Sequence, residues 1–144
     1  MQEEIKEQLE EYYNFWFTLN DIYEKWAKKQ GLTFNSLFTL FVIEEYPNCN
    51  QKLICDKLML PKQTVNTILT AFEKKGYIKK ETKEEDKRNK CIVFTEEGNR
   101  YAHEILSKLF SLEKSAFQNM PPEQRSLMIK GNQEFLKQLT LAMK

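Results

Sequence analysis

Seven bulky residues near the N-terminus, Ile5, Leu9, Tyr12, Trp16, Leu19, Tyr23 and Trp26, follow one another at steps of 4, 3, 4, 3, 4 and 3. An α-helix returns to one face about every 3.6 residues, so this alternation draws an unbroken seam along a helix that packs against other helices over its length. Phe15 and Ile22 widen the stripe, and Gly31 is placed to stop the helix. So much aromatic surface on one terminal helix of a 144-residue chain is hard to bury within a single subunit. Residues 1–30 are therefore expected to form a dimerisation helix, the alternative being a long core helix.

That length fits one compact domain with its own core. Hydrophobic residues make up 41% of the chain and charged residues 30%, and no apolar run approaches the roughly 18 residues that would span a bilayer. The opening MQEEIKEQLEEYY is acidic where a signal peptide would be basic and then apolar, so a cytoplasmic location with no membrane partner is expected. Cys49, Cys55 and Cys91 are odd in number and lack CxxC spacing, and the one histidine, His103, falls in a helical pattern. Neither a disulfide framework nor a metal site follows, no cofactor is expected, and the thiols are read as structural. No Ser-His-Asp or Cys-His arrangement and no glycine-rich phosphate loop stands out, so an enzyme is not expected and no residue is assigned a catalytic role.

The net charge of +1 conceals an asymmetry. Residues 1–24 hold seven acids and one lysine, whereas residues 52–90 hold eleven Lys or Arg and six Asp or Glu. A chain polarised in this way offers a basic surface to a polyanion, and nucleic acid is the natural candidate.

After the first helix, Thr33 is a suitable N-cap for FNSLFTLFVIEEY, which is apolar on most sides and ends before Pro47. QKLICDKLML reads as a short amphipathic helix with Leu53, Ile54 and Leu58 inward. Pro61 then opens a helix whose buried stripe is Val65, Ile68, Leu69 and Phe72 and whose end is Gly76. Its opposite face carries Lys62, Gln63, Thr64, Asn66, Thr67 and Thr70, side chains suited to base edges. YIKKETK and KCIVFT have strand propensity and flank the charged EEDKRN, the pattern of a hairpin with an exposed loop. Two further helical patterns follow, through Tyr101, Ile105, Leu109, Leu112 and Phe117, and through Leu127, Met128, Phe135, Leu139 and Met143. The expected fold is mainly α, in the order α-α-α-α-β-β-α-α: a winged helix-turn-helix over residues 33–98 between dimerisation helices at 1–30 and 99–144, one compact domain in all.

In this arrangement the chain resembles the MarR family of bacterial transcriptional regulators over essentially its whole length. The helix-turn-helix resemblance lies in LICDKLMLPKQTVNTILTAFEKKGYIKKE, and the wing signature in DKRNKCIVFTEEG, with Asp86, Arg88, Thr95 and Gly98 at the characteristic positions. The resemblance implies a homodimer on double-stranded DNA at a palindromic operator, with Lys62 to Lys75 as recognition helix and a wing tip near Glu84 to Lys90. Gln63, Asn66 and Thr67 are the first choices for base contact, with Lys62 and Thr64 on phosphate. Thr70, Lys74, Lys83, Lys87 and Lys90 complete the expected DNA-binding set. Arg88 suits a narrow minor groove, oriented by Asp86. Thr67 and Ala71 stand where the family often carries arginines, which removes cationic contacts from this helix.

Regulation in such a family implies a small aromatic or anionic effector, with repression as the expected mode. Tyr12, Phe15, Trp16, Leu19, Phe38 and Tyr101 are the candidate pocket walls. The oxidation-sensing branch places its cysteine in the first helix, where this chain has none, so sensing by that route is not expected. The rival reading is a winged-helix protein-interaction module without DNA sequence specificity, on the ground of the missing arginines.

Overall fold

The computed structural model describes residues 1–83 and 86–144, with all of their side chains except those of 83 and 86–89. Its elements are α1 (Gln2–Lys29), α2 (Phe34–Glu45), α3 (Gln51–Leu58), α4 (Lys62–Lys74), β1 (Ile78–Lys83), β2 (Asp86–Phe94), α5 (Glu96–Asn119) and α6 (Pro122–Ala142). This is the order expected, mainly helical with one antiparallel hairpin. The chain divides into two units, Met1–Ile105 and Leu106–Lys144.

In the first unit each boundary has a local cause. The Thr33 hydroxyl accepts the Ser36 N–H at 3.1 Å and starts α2; the Asn50 side chain accepts the Leu53 N–H at 2.8 Å and starts α3. Pro61, with φ −62°, sits at the N-cap of α4, where its missing N–H costs nothing. At the other end Gly76 takes φ +78°, so that its own N–H reaches Glu73 O at 3.0 Å and the Tyr77 N–H reaches Phe72 O at 3.0 Å. These two bonds cap the last carbonyls and turn the chain into β1. Gly31 ends α1 in the same way.

Leu37, Leu40, Ile54, Val65 and Leu69 are fully buried, and Ile78, Cys91 and Ile92 extend this core to the base of the hairpin. β1 pairs with β2 from Ile78 opposite Phe94 to Thr82 opposite Lys90, with an irregularity between Thr82 and Lys83. Here the sequence reading is corrected: β2 begins at Asp86, four residues before the expected strand, with Asp86 opposite Lys83. Strand pairing satisfies backbone groups whatever their side chains, and it overrides the low propensity of charged residues.

The seam of α1 is only partly covered. Leu19, Tyr23 and Trp26 are half-buried and Ala27 is fully buried, whereas Ile5, Leu9, Tyr12 and Trp16 are exposed. In the second unit α6 has no buried residue, and Leu127, Leu136 and Leu141 stand more than half exposed.

Candidate nucleic-acid interface

α4 is fixed from below by Val65, Leu69 and Phe72, all buried, with Ile68 half-buried beside them. Spacing of three and four then forces Lys62, Gln63, Asn66, Thr67 and Thr70 onto the opposite face, where all five are exposed. Thr64 is half-buried and Lys74 is exposed. The Thr67 hydroxyl donates to Gln63 O at 3.0 Å, a bond within the helix that holds its methyl and oxygen in one rotamer. The Gln51 side-chain amide donates to Lys62 O at 3.1 Å and ties the start of α3 to the start of α4.

The turn between these helices passes through Met59 at φ +54°, 86% exposed, with the Leu60 N–H returning to Cys55 O at 3.1 Å. The close approach of its Cβ to its own carbonyl costs about 1–2 kcal/mol there, so the rest of the turn has to hold it.

The hairpin leaves Lys90 exposed beside α3 and α4. Lys83, Asp86, Lys87 and Arg88, also expected to meet DNA, have side chains outside the described residues. Between α3, α4 and the hairpin lies a cavity of about 490 Å³ lined by Asn50, Gln51, Lys52, Cys55, Lys62, Lys80, Lys90 and Ile92. Lys62 and Lys90 belong to the expected set; Asn50, Gln51, Lys52 and Lys80 do not. Sequence reading did not single out Asn50, Gln51 and Lys52, because only the packing of α3 against α4 and the hairpin brings them there, and it gave Lys80 no more than a general electrostatic part, although the short alternation Lys80, Thr82 on β1 was a usable signal that Lys80 shares a face with Ile92 and Lys90 across the ladder.

The base of the hairpin is tightly bonded. The Thr95 hydroxyl donates to Gly76 O at 2.6 Å and accepts the Gly98 N–H at 3.0 Å, while the Thr95 N–H donates to Tyr77 O at 3.0 Å. Tyr101 stacks on Tyr77 with ring centroids 4.1 Å apart, and burial, then the neighbouring Tyr77 hydroxyl, pushes its phenol above the ordinary value.

None of the residues expected to wall an effector pocket lines the cavity beside α4. Tyr101 is engaged with Tyr77, and Phe38 packs against Phe34 at 4.8 Å and Tyr23 at 5.6 Å. Tyr12, Phe15 and Trp16 are exposed on α1, and Leu19 is half-buried. A cavity of about 360 Å³ does lie near the end of α1, but its lining is Asn20, Glu24, Thr33, Phe34 and Asn35.

Among the described residues no group of three or more His, Cys, Asp or Glu side chains is gathered as a metal ion would need, and no helix is long and apolar enough to cross a membrane. Cys49 is buried, and that burial, reinforced by the nearby Cys91 thiol, raises its pKa to about 11. Since the thiolate is the nucleophile, iodoacetamide at pH 8 is expected to label half-buried Cys55 well before Cys49, by peptide mass mapping of the native protein. Equal labelling of both would contradict the packing described.

Comparison with known proteins agrees with this geometry. Residues 30–89 match the model of the MarR family. The transcriptional regulator SarZ of Staphylococcus epidermidis is 28% identical over 116 residues, covering 79% of this chain and 76% of SarZ. Among solved structures, a MarR family regulator from Neisseria meningitidis superposes with a TM-score of 0.78 at 23% identity, over 94% of this chain and 95% of that one. MepR of Staphylococcus aureus, solved as a complex with DNA, superposes with a TM-score of 0.74 at 21% identity, over 88% of this chain and 96% of MepR.

Proposed function

We infer, from the premise that this chain belongs to the MarR family, that it is a non-enzymatic transcriptional regulator which binds double-stranded DNA. Its α4 enters the major groove, and it acts as a homodimer on a palindromic operator in the cytoplasm, with repression as its mode. The observation that carries this reading is the exposed polar face of α4, Lys62, Gln63, Asn66, Thr67 and Thr70, set on a buried apolar stripe beside a basic hairpin. An α-helix fits the major groove, and amide side chains near its N-terminus can make paired hydrogen bonds to base edges. Lysine contacts along the hairpin would add affinity without adding sequence information. The exposed apolar residues of α1 and α6 favour the dimer, since two copies place two recognition helices about one helical turn apart on one duplex.

The experiment is selection of bound duplex from a random pool, followed by gel shifts over a salt series. The expected result is a palindromic site bound at least ~10³-fold above competitor DNA. Gln63→Ala and Asn66→Ala should each weaken that site by roughly 10- to 100-fold while leaving competitor binding unchanged. Indifference to sequence would instead establish the protein-interaction module. We further propose that a small aromatic or anionic effector acts through Tyr12, Phe15, Trp16, Leu19, Phe38 or Tyr101. A ligand that leaves operator affinity unchanged at saturation is not one, because only differential binding shifts a two-state balance.

A further inference from the structure

We propose that the cleft between the start of α3, the start of α4 and the hairpin seats a phosphate group of the DNA backbone, held by Lys52, Lys62, Lys80 and Lys90. The proposal rests on the DNA-binding reading above and adds to it residues from α3 and β1. Four lysines and no acid line this cavity of about 490 Å³. Lys52 is held by Asp56 at 2.8 Å and Lys80 stands 4.0 Å from Glu73, whereas Lys62 and Lys90 have no acidic partner among the described residues. The cleft is therefore net positive.

Its backbone has the same polarity. Asn50 caps α3 by accepting the Leu53 N–H through its side chain and the Ile54 N–H through its carbonyl, which leaves the N–H groups of Gln51 and Lys52 as uncapped donors of the first turn. A helix start of this kind favours an anion, and here it adjoins lysines contributed by two other elements. The Gln51 bond to Lys62 O fixes one wall against the other, and buried Ile92 supplies a rigid floor. Because Lys62 is also the first residue of α4, a phosphate seated here sets how far Gln63 and Asn66 reach into the groove.

The test compares wild type with Lys52→Gln and Lys80→Gln by fluorescence anisotropy on the selected operator and on a random duplex, over a salt series. Lys79→Gln serves as control, because Lys79 lies on the opposite face of β1. Each cleft variant should lower the slope of log K against log salt by part of the ~0.9 that one neutralised phosphate contributes and weaken both duplexes by the same factor, with helical content unchanged. Lys79→Gln should leave the slope as it is. Unchanged slopes in both cleft variants, or an equal drop in the control, would overturn the proposal. Inorganic phosphate in place of chloride at constant ionic strength should weaken wild-type binding more than it weakens Lys52→Gln, because it competes for the same cleft; an equal effect on both would also overturn the proposal. The preference for operator over random duplex reports separately on the functional reading: a slope that falls in a protein without preference keeps the cleft and removes sequence specificity.

Discussion

Gly98→Ala is expected to cost about 3 kcal/mol or more of folding stability and to abolish DNA binding with it. A Cβ built on Gly98 would lie 1.7 Å from Tyr77 O, 2.5 Å from Tyr77 C and 2.8 Å from Tyr77 Cα. These are backbone atoms, and they cannot step aside. The Tyr77 N–H is bonded to Phe72 O and closes the end of α4, while Tyr77 O accepts the Thr95 N–H at the entrance to α5. Thr95 in turn bonds Gly76 O and the Gly98 N–H. Relieving the clash means breaking these hydrogen bonds, which join the end of α4 and the base of the hairpin to the start of α5. For a chain of this size roughly 2–4 °C of melting temperature is lost per kcal/mol, so circular dichroism should show a fall of about 6–12 °C. Gly131→Ala is the contrast: it lies within α6 with nothing inside 4 Å of the added carbon, and should gain roughly 0.5–1 kcal/mol from helix propensity. A Gly98→Ala protein that melts with wild type would mean that the close approach to Tyr77 is not real.

The same bonds explain which parts of the fold could be read from sequence. Thr33, Asn50, Gly31 and Gly76 act through their own backbone neighbours, so their effect is local and the helix boundaries they set were legible. The buried stripe of α4 was legible for the same reason, because it is a matter of period. The start of β2 was not, since Asp86 to Asn89 have no strand propensity of their own and the strand begins there only because Lys83 of β1 lies opposite Asp86. The four-lysine cleft was hidden more deeply: Lys52, Lys62 and Lys80 are far apart in sequence, and only the packing of α3, α4 and the hairpin gathers them. The effector residues are a different case. A ring at helical spacing looks the same whether it faces a cavity or another ring, and Phe38 and Tyr101 proved to face Phe34 and Tyr77.

The double variant Leu136→Lys, Leu139→Lys is expected to dissociate the proposed homodimer. In the chain alone neither leucine belongs to a core: α6 has no buried residue, Leu136 is 66% exposed and Leu139 38%. The substitutions should therefore leave the helical content and the winged region intact, which separates loss of assembly from loss of folding. If α6 is covered by a second copy, each leucine buried there contributes about 1.5 kcal/mol or more, and a two-fold interface counts every residue twice. Four positions then amount to about 6 kcal/mol, or some 10⁴-fold in the dimer dissociation constant. Light scattering at micromolar protein should read one subunit where wild type reads two. Operator affinity should fall as well, because two half-sites bound by separate monomers no longer share one entropic cost of docking. Binding to a half-site duplex at high protein concentration should survive, since α4 and the cleft are untouched. A double variant that remains dimeric would move the interface off α6 and leave the exposed Ile5, Leu9 and Trp16 of α1 to account for it.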